Sequence, residues 1–327
     1  MALESPATIL QRAKNIWRRN ASGNRRVVLF YALPALLLPL MVMVINLFLN
    51  KQIDSTGNLS SIGLRSTLET VQTVLSGVIR LALPFWQLGL TYCALRISSG
   101  QSLSTYHLQE GFRRWGAALR LMILRTFRYI AGVFCGALLS GLILSVLPIS
   151  KNLLAISETI MNDPNYANAT EEELMAAIMN LIDFWDIAPY YILCGVGILV
   201  ATVPLFYRYR MSDYILLDSE KPSALLAIRK STEMMRGNAM RLFVLDLRLW
   251  WYYLLLLVSG LLSYGDLLLP SLGISLPFSE DWALLFFSLL STAMQFAYFY
   301  LFRGQVETVY ACAYTSLKES EGGNEAL

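Results

Sequence analysis

Charge is scarce in this chain of 327 residues: Asp, Glu, Lys and Arg make up 15%, against a hydrophobic share of 56%. A water-soluble domain of that length needs more polar cover, so the composition excludes the ordinary globular class. Histidine is scarcer still, with His107 alone. No second His, Cys or carboxylate stands at ligand spacing from it, and Ser140, a hydroxyl to test as nucleophile, has no base at comparable depth. The four cysteines, Cys93, Cys135, Cys194 and Cys312, lie in or beside apolar runs without a CxxC pair. They read as small buried hydrophobes and not as a disulfide framework or zinc site. A glycine-rich phosphate loop, a dinucleotide fingerprint and a lipid-attachment signal are also missing. The expectation is a protein that is not an enzyme, with no catalytic residue, no cofactor and no metal.

What is present is a set of six long apolar runs, predicted as transmembrane helices near 27–49, 75–95, 129–149, 187–206, 245–262 and 282–302. About 20 apolar residues cross the hydrocarbon core as a helix, because every backbone N–H and C=O must be paired internally there. Of the 26 Lys and Arg, 22 fall in the first, third, fifth and seventh connecting segments. Only Lys51, Arg65 and Lys151 fall in the others, and Arg80 sits inside a run. Basic residues are retained on the cytoplasmic side, so this alternation predicts a six-span, all-α bundle in the cell membrane with both termini in the cytoplasm. The organisation expected is a cytoplasmic amphipathic segment (1–26), a membrane domain (27–302) and a cytoplasmic tail (303–327). Polar and basic residues precede the first run and no small-residue cleavage site follows it, so that run reads as a retained span. Phe184, Trp185 and Trp282 at one boundary, and Trp17, Trp115, Trp250 and Trp251 at the other, read as headgroup-level aromatics. Glu158, Asp163, Glu171, Glu172, Glu173, Asp183 and Asp186 crowd the fourth segment, read as a solvated outer loop. With a net charge of only +3, nucleic acid is excluded as a partner.

The cytoplasmic segments carry their own periodicity. After Ser5-Pro6, a favourable helix start, Ile9, Leu10, Ala13, Ile16 and Trp17 recur opposite Arg12, Lys14, Arg18 and Arg19, which predicts a helix lying in the inner interface. A second helix starts at Pro222, places Ala224, Leu225, Ile228 and Met235 on one face, and stops at Gly237-Asn238, a pair suited to a left-handed cap. A weaker third uses Leu108, Phe112 and Trp115 before Gly116. The last two align at a shift of 121 residues, Gly116 with Gly237 and Arg120 with Arg241, which reads as a weak internal duplication in one orientation.

Asp218, Pro222, Ala224, Ile228, Ser231, Met234, Met235, Gly237, Asn238, Arg241, Leu242 and Phe243 form a pattern with a known counterpart. So do the opening stretch Gln11 to Asn20 and the closing Tyr310-Ala-Cys-Ala-Tyr314. Together they resemble a bacterial family of integral membrane proteins catalogued as domain of unknown function nine-seventy-five. The resemblance implies a multi-span membrane protein and supplies no reaction.

Three further features bear on mechanism. Arg80, the intramembrane charge, either serves a function or snorkels to the headgroups. Gly132, Gly136 and Ser140 on the third run, with Gly197 and Ala201 on the fourth, form small-residue stripes that favour close packing within the bundle. Pro34, Pro39, Pro84 and Pro204 could mark hinges. The function expected is a non-catalytic envelope scaffold or regulator. Its contact surface with anionic headgroups, a membrane protein or a second copy would comprise Arg12, Lys14, Arg18, Arg19, Arg25, Arg26, Arg229, Lys230, Arg236 and Arg241. The alternative is a transporter or export factor for a small amphiphile, with Arg80 or Pro84 near the path.

Overall fold

The computed structural model describes residues 3–19, 21–56, 60–146, 184–271 and 280–325. Lys151 and most of the acidic segment, from Glu158 to Asp183, lie outside the described residues. Every regular element among them is helical. The helices are α1 (Pro6–Arg19), α2 (Ala21–Thr56), α3 (Ser60–Ser98), α4 (Glu110–Arg113), α5 (Trp115–Val146), α6 (Phe184–Tyr209) and α7 (Ser212–Asp218). There follow α8 (Ala224–Met235), α9 (Ala239–Arg248), α10 (Trp250–Leu262), α11 (Gly265–Ser271), α12 (Glu280–Tyr298) and α13 (Gly304–Glu325), with a π turn at Phe299–Arg303 joining the last two. Five stretches are long and apolar enough to cross a membrane: Ala21–Ile45, Thr73–Ser98, Trp115–Ser145, Tyr191–Asp218 and Trp282–Ser320. A sixth is reached if α9 and α10 count as one span. These are the helices of a multi-pass membrane protein.

The predicted fifth span is broken. α9 and α10 meet at Leu249 with a bend of 64°. α9 buries Leu242 and Leu245 and exposes Met240 and Leu247, whereas α10 buries Tyr252 and Ser259 and exposes Trp250, Leu254, Leu257 and Leu261. The predicted sixth span, by contrast, does not stop at Phe302. The chain passes through the π turn into α13, where Val306, Val309, Tyr310, Ala311, Cys312, Ala313, Tyr314 and Leu317 are all buried. Residues 306–317 of the segment expected as a tail thus pack mostly in the core. α2, α3 and α6 run through Pro34, Pro84 and Pro204 without interruption.

Two compact units divide the chain, Met1–Leu121 with Met211–Leu327, and Met122–Arg210. In the first, α13 packs on α3, α1 and α2, and α12 packs on α2 and α10. α1 begins at Pro6, where Ser5-Pro6 predicts a start, but its apolar face does not lie in lipid: Ile9, Ala13 and Trp17 are buried against protein. Trp17 joins Val27, Val28, Tyr31, Leu90, Cys93 and Leu108 in one core cluster. Its ring lies where a Cβ on Gly304 would be, 2.3 Å away, so glycine there lets α1 close onto the start of α13. Trp17 is therefore a packing residue, not a headgroup anchor. Trp115, Trp250 and Trp282 are exposed, as membrane-boundary aromatics would be in a chain without its bilayer.

α8 ends where predicted, at Gly237 with φ +83°, a left-handed conformation that glycine adopts without steric cost. Its buried face is Ala224, Ala227, Ile228, Ser231, Met234 and Met235; Leu225 points outward. The segment aligned with it at a shift of 121 differs. There a 3₁₀ turn, Thr105–Gln109, leads into the single-turn α4, and Gly116 has no positive φ. The sequence alignment thus does not carry over to the geometry of that corner.

In the Met122–Arg210 unit, the small-residue stripes on α5 and α6 meet each other. A Cβ on Gly136 would stand 2.7 Å from Gly197 O, and one on Gly197 would stand 1.9 Å from Ser140 Oγ. Ser140 Oγ lies 2.9 Å from Gly136 O and 3.2 Å from Leu193 O. Absent side chains let the helices approach closely enough for the Ser140 hydroxyl to reach Leu193 O across the contact.

Candidate functional site

One face of the last helix, with Arg303 of the π turn before it, carries a polar stripe that runs from the interior to the exposed Lys318. Arg303, Glu307, Tyr310, Tyr314 and Lys318 recur at four, three, four and four residues, one stripe of an α-helix, and each engages another element. Arg303 forms an ion pair with Glu307 at 3.0 Å and donates from Nη1 to Tyr252 OH of α10 at 3.0 Å. The Glu307 carboxylate also accepts from Gln87 Nε2 of α3 at 2.8 Å and from Tyr214 OH of α7 at 3.3 Å. Tyr31 OH of α2 donates to Gln87 Oε1 at 2.6 Å. Tyr310 OH donates to Asp246 of α9, and Tyr253 OH is hydrogen-bonded to the same Tyr310 hydroxyl. Tyr314 OH and Lys318 Nζ both donate to Asp218 Oδ2, at 2.8 and 2.6 Å. In low dielectric an unpaired charge is costly, so these bonds are what make the stripe tolerable inside the bundle. A cavity bordering Glu307, between Trp17, Asn24, Leu90, Cys93 and Gly304, has a volume of about 10 Å³, enough for one water.

A second constellation explains part of the family-like pattern. Leu3 is buried, its N–H donates to Asn238 Oδ1 at 3.0 Å, and its carbonyl accepts from the Arg241 guanidinium. Asn238 Nδ2 donates in turn to Met234 O at 2.9 Å. The left-handed Gly237 turns the chain so that Asn238 and Arg241, at the start of α9, grip both polar groups of one N-terminal residue. Of the remaining family-like positions, Asp218 anchors Tyr314 and Lys318, Ser231 and Met235 are buried, and Pro222 precedes α8. Arg114, which sequence reasoning passed over, donates to Leu216 O at 3.0 Å and Ser219 O at 2.7 Å, capping the carboxyl end of α7.

The predicted contact residues divide into two sets. Lys14, Arg18, Arg19, Arg25, Arg26, Arg229, Lys230 and Arg236 are exposed. Arg229 pairs with Glu233 at 3.1 Å, and both partners are largely exposed. Arg12 is half-buried, and Arg241, though exposed, donates to the Leu3 carbonyl. Arg12 lies 3.2 Å from Glu319 and 3.8 Å from Glu4, and the Glu319 hydrogen bond raises its pKa against the opposing effect of burial. Arg80 is exposed on α3. His107 Nδ1 accepts from the Ser104 N–H at 3.1 Å, and Ser104 Oγ accepts from Tyr106 N, a reciprocal cap on the 3₁₀ turn. Partial burial lowers the His107 pKa, Arg96 lowers it further, and Glu110 opposes. Among the described residues no three His, Cys, Asp or Glu side chains converge as metal ligands would.

Arg303 and Glu307 were missed because they follow the last apolar run and look like a solvated flank. The available signal was their four-residue spacing on a helix that continues into Tyr310 and Tyr314. No curated protein and no solved structure matches the chain. A family model described as "Protein of unknown function (DUF975)" matches residues 26–319. That stretch contains Asn238 and Arg241, the whole stripe from Arg303 to Lys318 and its partners from Tyr31 to Tyr253, so the polar interior falls within the matched region, and the chain belongs to this family of unknown function.

Proposed function

We propose that the protein is a non-catalytic scaffold or regulator in a cell membrane, whose basic helices contact anionic headgroups, or a partner carrying the same charge, at the cytoplasmic face. The observation that carries this reading is the division of labour on α1 and α8. Their apolar faces are buried within the fold, while Lys14, Arg18, Arg19, Arg229, Lys230 and Arg236 face outward. With those faces packed on protein, the outward cations stand where an anionic surface can meet them, each worth about 1 kcal/mol near a charged leaflet. The alternation of basic residues along the chain supports an orientation with both termini in the cytoplasm. The test is thermal unfolding of the purified protein with added phosphatidylglycerol or phosphatidylcholine. Stabilisation by the anionic lipid alone, weakened by salt and by changing the six outward cations to Gln, supports the reading. Equal stabilisation by both lipids contradicts it.

A second reading, a carrier for a small amphiphile, draws support from the charged pair Arg303–Glu307 at a π turn, since intramembrane charges and π turns recur at functional sites. The water-sized cavity beside Glu307 weighs against it. A carrier that uses Arg80 should lose transport in Arg80→Gln, whereas a scaffold tolerates the change.

A further inference from the structure

The outward face of α1 borders a groove of about 450 Å³, lined by Thr8, Gln11, Arg12, Asn15, Ile16 and Arg19 of α1 and by Ser98 at the end of α3. The volume is that of a small-ligand site. Thr8, Arg12, Asn15 and Arg19 are spaced four, three and four residues apart, so one helical face brings two guanidinium groups, an amide and a hydroxyl into the same space. No carboxylate lines it. The nearest acidic groups, Glu319 and Glu4, hold the Arg12 guanidinium from outside the lining, at 3.2 and 3.8 Å. Arg19 is exposed, with no partner among the described residues. Lys14 and Arg18 are also exposed on α1 but do not line the groove.

We infer that this groove binds a phosphoester anion, with Arg19 and Arg12 donating to its oxygens and Gln11, Asn15 and Thr8 completing the contacts. Guanidinium groups suit this ligand because their planar fork matches two phosphate oxygens at once. Arg12 is positioned by its carboxylates, so Arg19 supplies the uncompensated charge. The inference rests on the anionic-headgroup reading above and narrows it from a diffuse basic surface to one place. The phosphoester is either the headgroup of an anionic lipid or a soluble phosphate ester.

The experiment uses the full chain as wild type, as Arg19→Gln, as Asn15→Ala and as the control Lys14→Gln/Arg18→Gln. Each is placed in nanodiscs of phosphatidylcholine containing a minor share of phosphatidylglycerol, and retained phosphatidylglycerol is counted by native mass spectrometry. In parallel, each in pure phosphatidylcholine nanodiscs is titrated with glycerol 3-phosphate and followed by phosphorus NMR. Loss of one charge-assisted contact should weaken binding about tenfold in Arg19→Gln, and less in Asn15→Ala, with the control close to wild type. Retention of the lipid without binding of glycerol 3-phosphate identifies a headgroup site; binding of both identifies the phosphoester itself, and either supports the groove. Equal losses in Arg19→Gln and the control overturn the groove and leave the basic-surface reading standing. No dependence on anionic lipid in any variant overturns both. All substituted side chains are exposed, and circular dichroism confirms that each variant remains folded.

Discussion

The two compact units solve the same problem in opposite ways. Within Met122–Arg210, α5 and α6 are held by what their contact lacks: Gly136 and Gly197 carry no side chains, and the backbones come together around one serine. Within the larger unit, α13 is held by what its contact contains: a stripe of charged and hydroxyl groups bonded to α3, α7, α9 and α10. In lipid there is little hydrophobic drive between helices, so association must come from close van der Waals contact or from satisfied polar groups. The first device is local and tolerates no added volume. The second gathers distant elements and tolerates no missing partner.

Substitutions should separate the two. The largest effect is expected from Glu307→Leu, which leaves the part-buried Arg303 guanidinium without its carboxylate and should cost about 3 kcal/mol in detergent unfolding. The double variant Arg303→Met/Glu307→Leu should lose less than the single, because no charge is left stranded; equal losses would mean the pair is not what matters. Next comes Gly136→Leu, where even the first added carbon meets Gly197 O, with an expected cost of about 1–3 kcal/mol. Engineered cysteine pairs between α5 and α6 should lose cross-linking in that variant and keep it in Glu307→Leu.

Asn238→Ala tests the grip on the N-terminus. It leaves the buried Leu3 N–H and Met234 O without their partner, at a cost of about 1–3 kcal/mol, and should expose residues 3–5 to protease. Unchanged cleavage would contradict the clamp. The smallest effect is pH-dependent. His107 has a folded pKa below its unfolded value, so the folded state binds fewer protons and this contribution to stability is lost as pH falls through the ordinary histidine range, about 6.5. Protonation also removes the Nδ1 acceptor for Ser104 N–H. Hydrogen exchange at Ser104 should therefore speed up below that pH beyond its intrinsic trend, and Ser104 exchange that follows only the intrinsic trend would contradict the assignment.

The same contrast decides what could be read from the sequence. The stripe of Gly132, Gly136 and Ser140 was legible because its period is written within one run. So were the start of α1, signalled by Ser5-Pro6, and the left-handed corner at Gly237. α13 was not legible, because its polar spacing fits a solvated helix equally well. What settles its environment is Gln87, Tyr214, Tyr252 and Asp218, all contributed by distant parts of the chain. The break between α9 and α10 was hidden for the same reason: Asp246, which from sequence merely crowds the start of a span, has its partner 64 residues away at Tyr310. Trp17 looked like a headgroup anchor until Gly304 supplied a place for its ring.

The central claim, that outward cations on a self-satisfied fold recognise an anionic surface, is tested most directly by native mass spectrometry of the protein gently extracted from the membrane in which it is made. The account predicts retained anionic lipid, or one anionic protein partner, both lost when Lys14, Arg18, Arg19, Arg229, Lys230 and Arg236 are changed to Gln. A single non-lipid amphiphile retained by wild type and by that variant alike, and lost in Glu307→Gln, would contradict it and make the carrier the better reading.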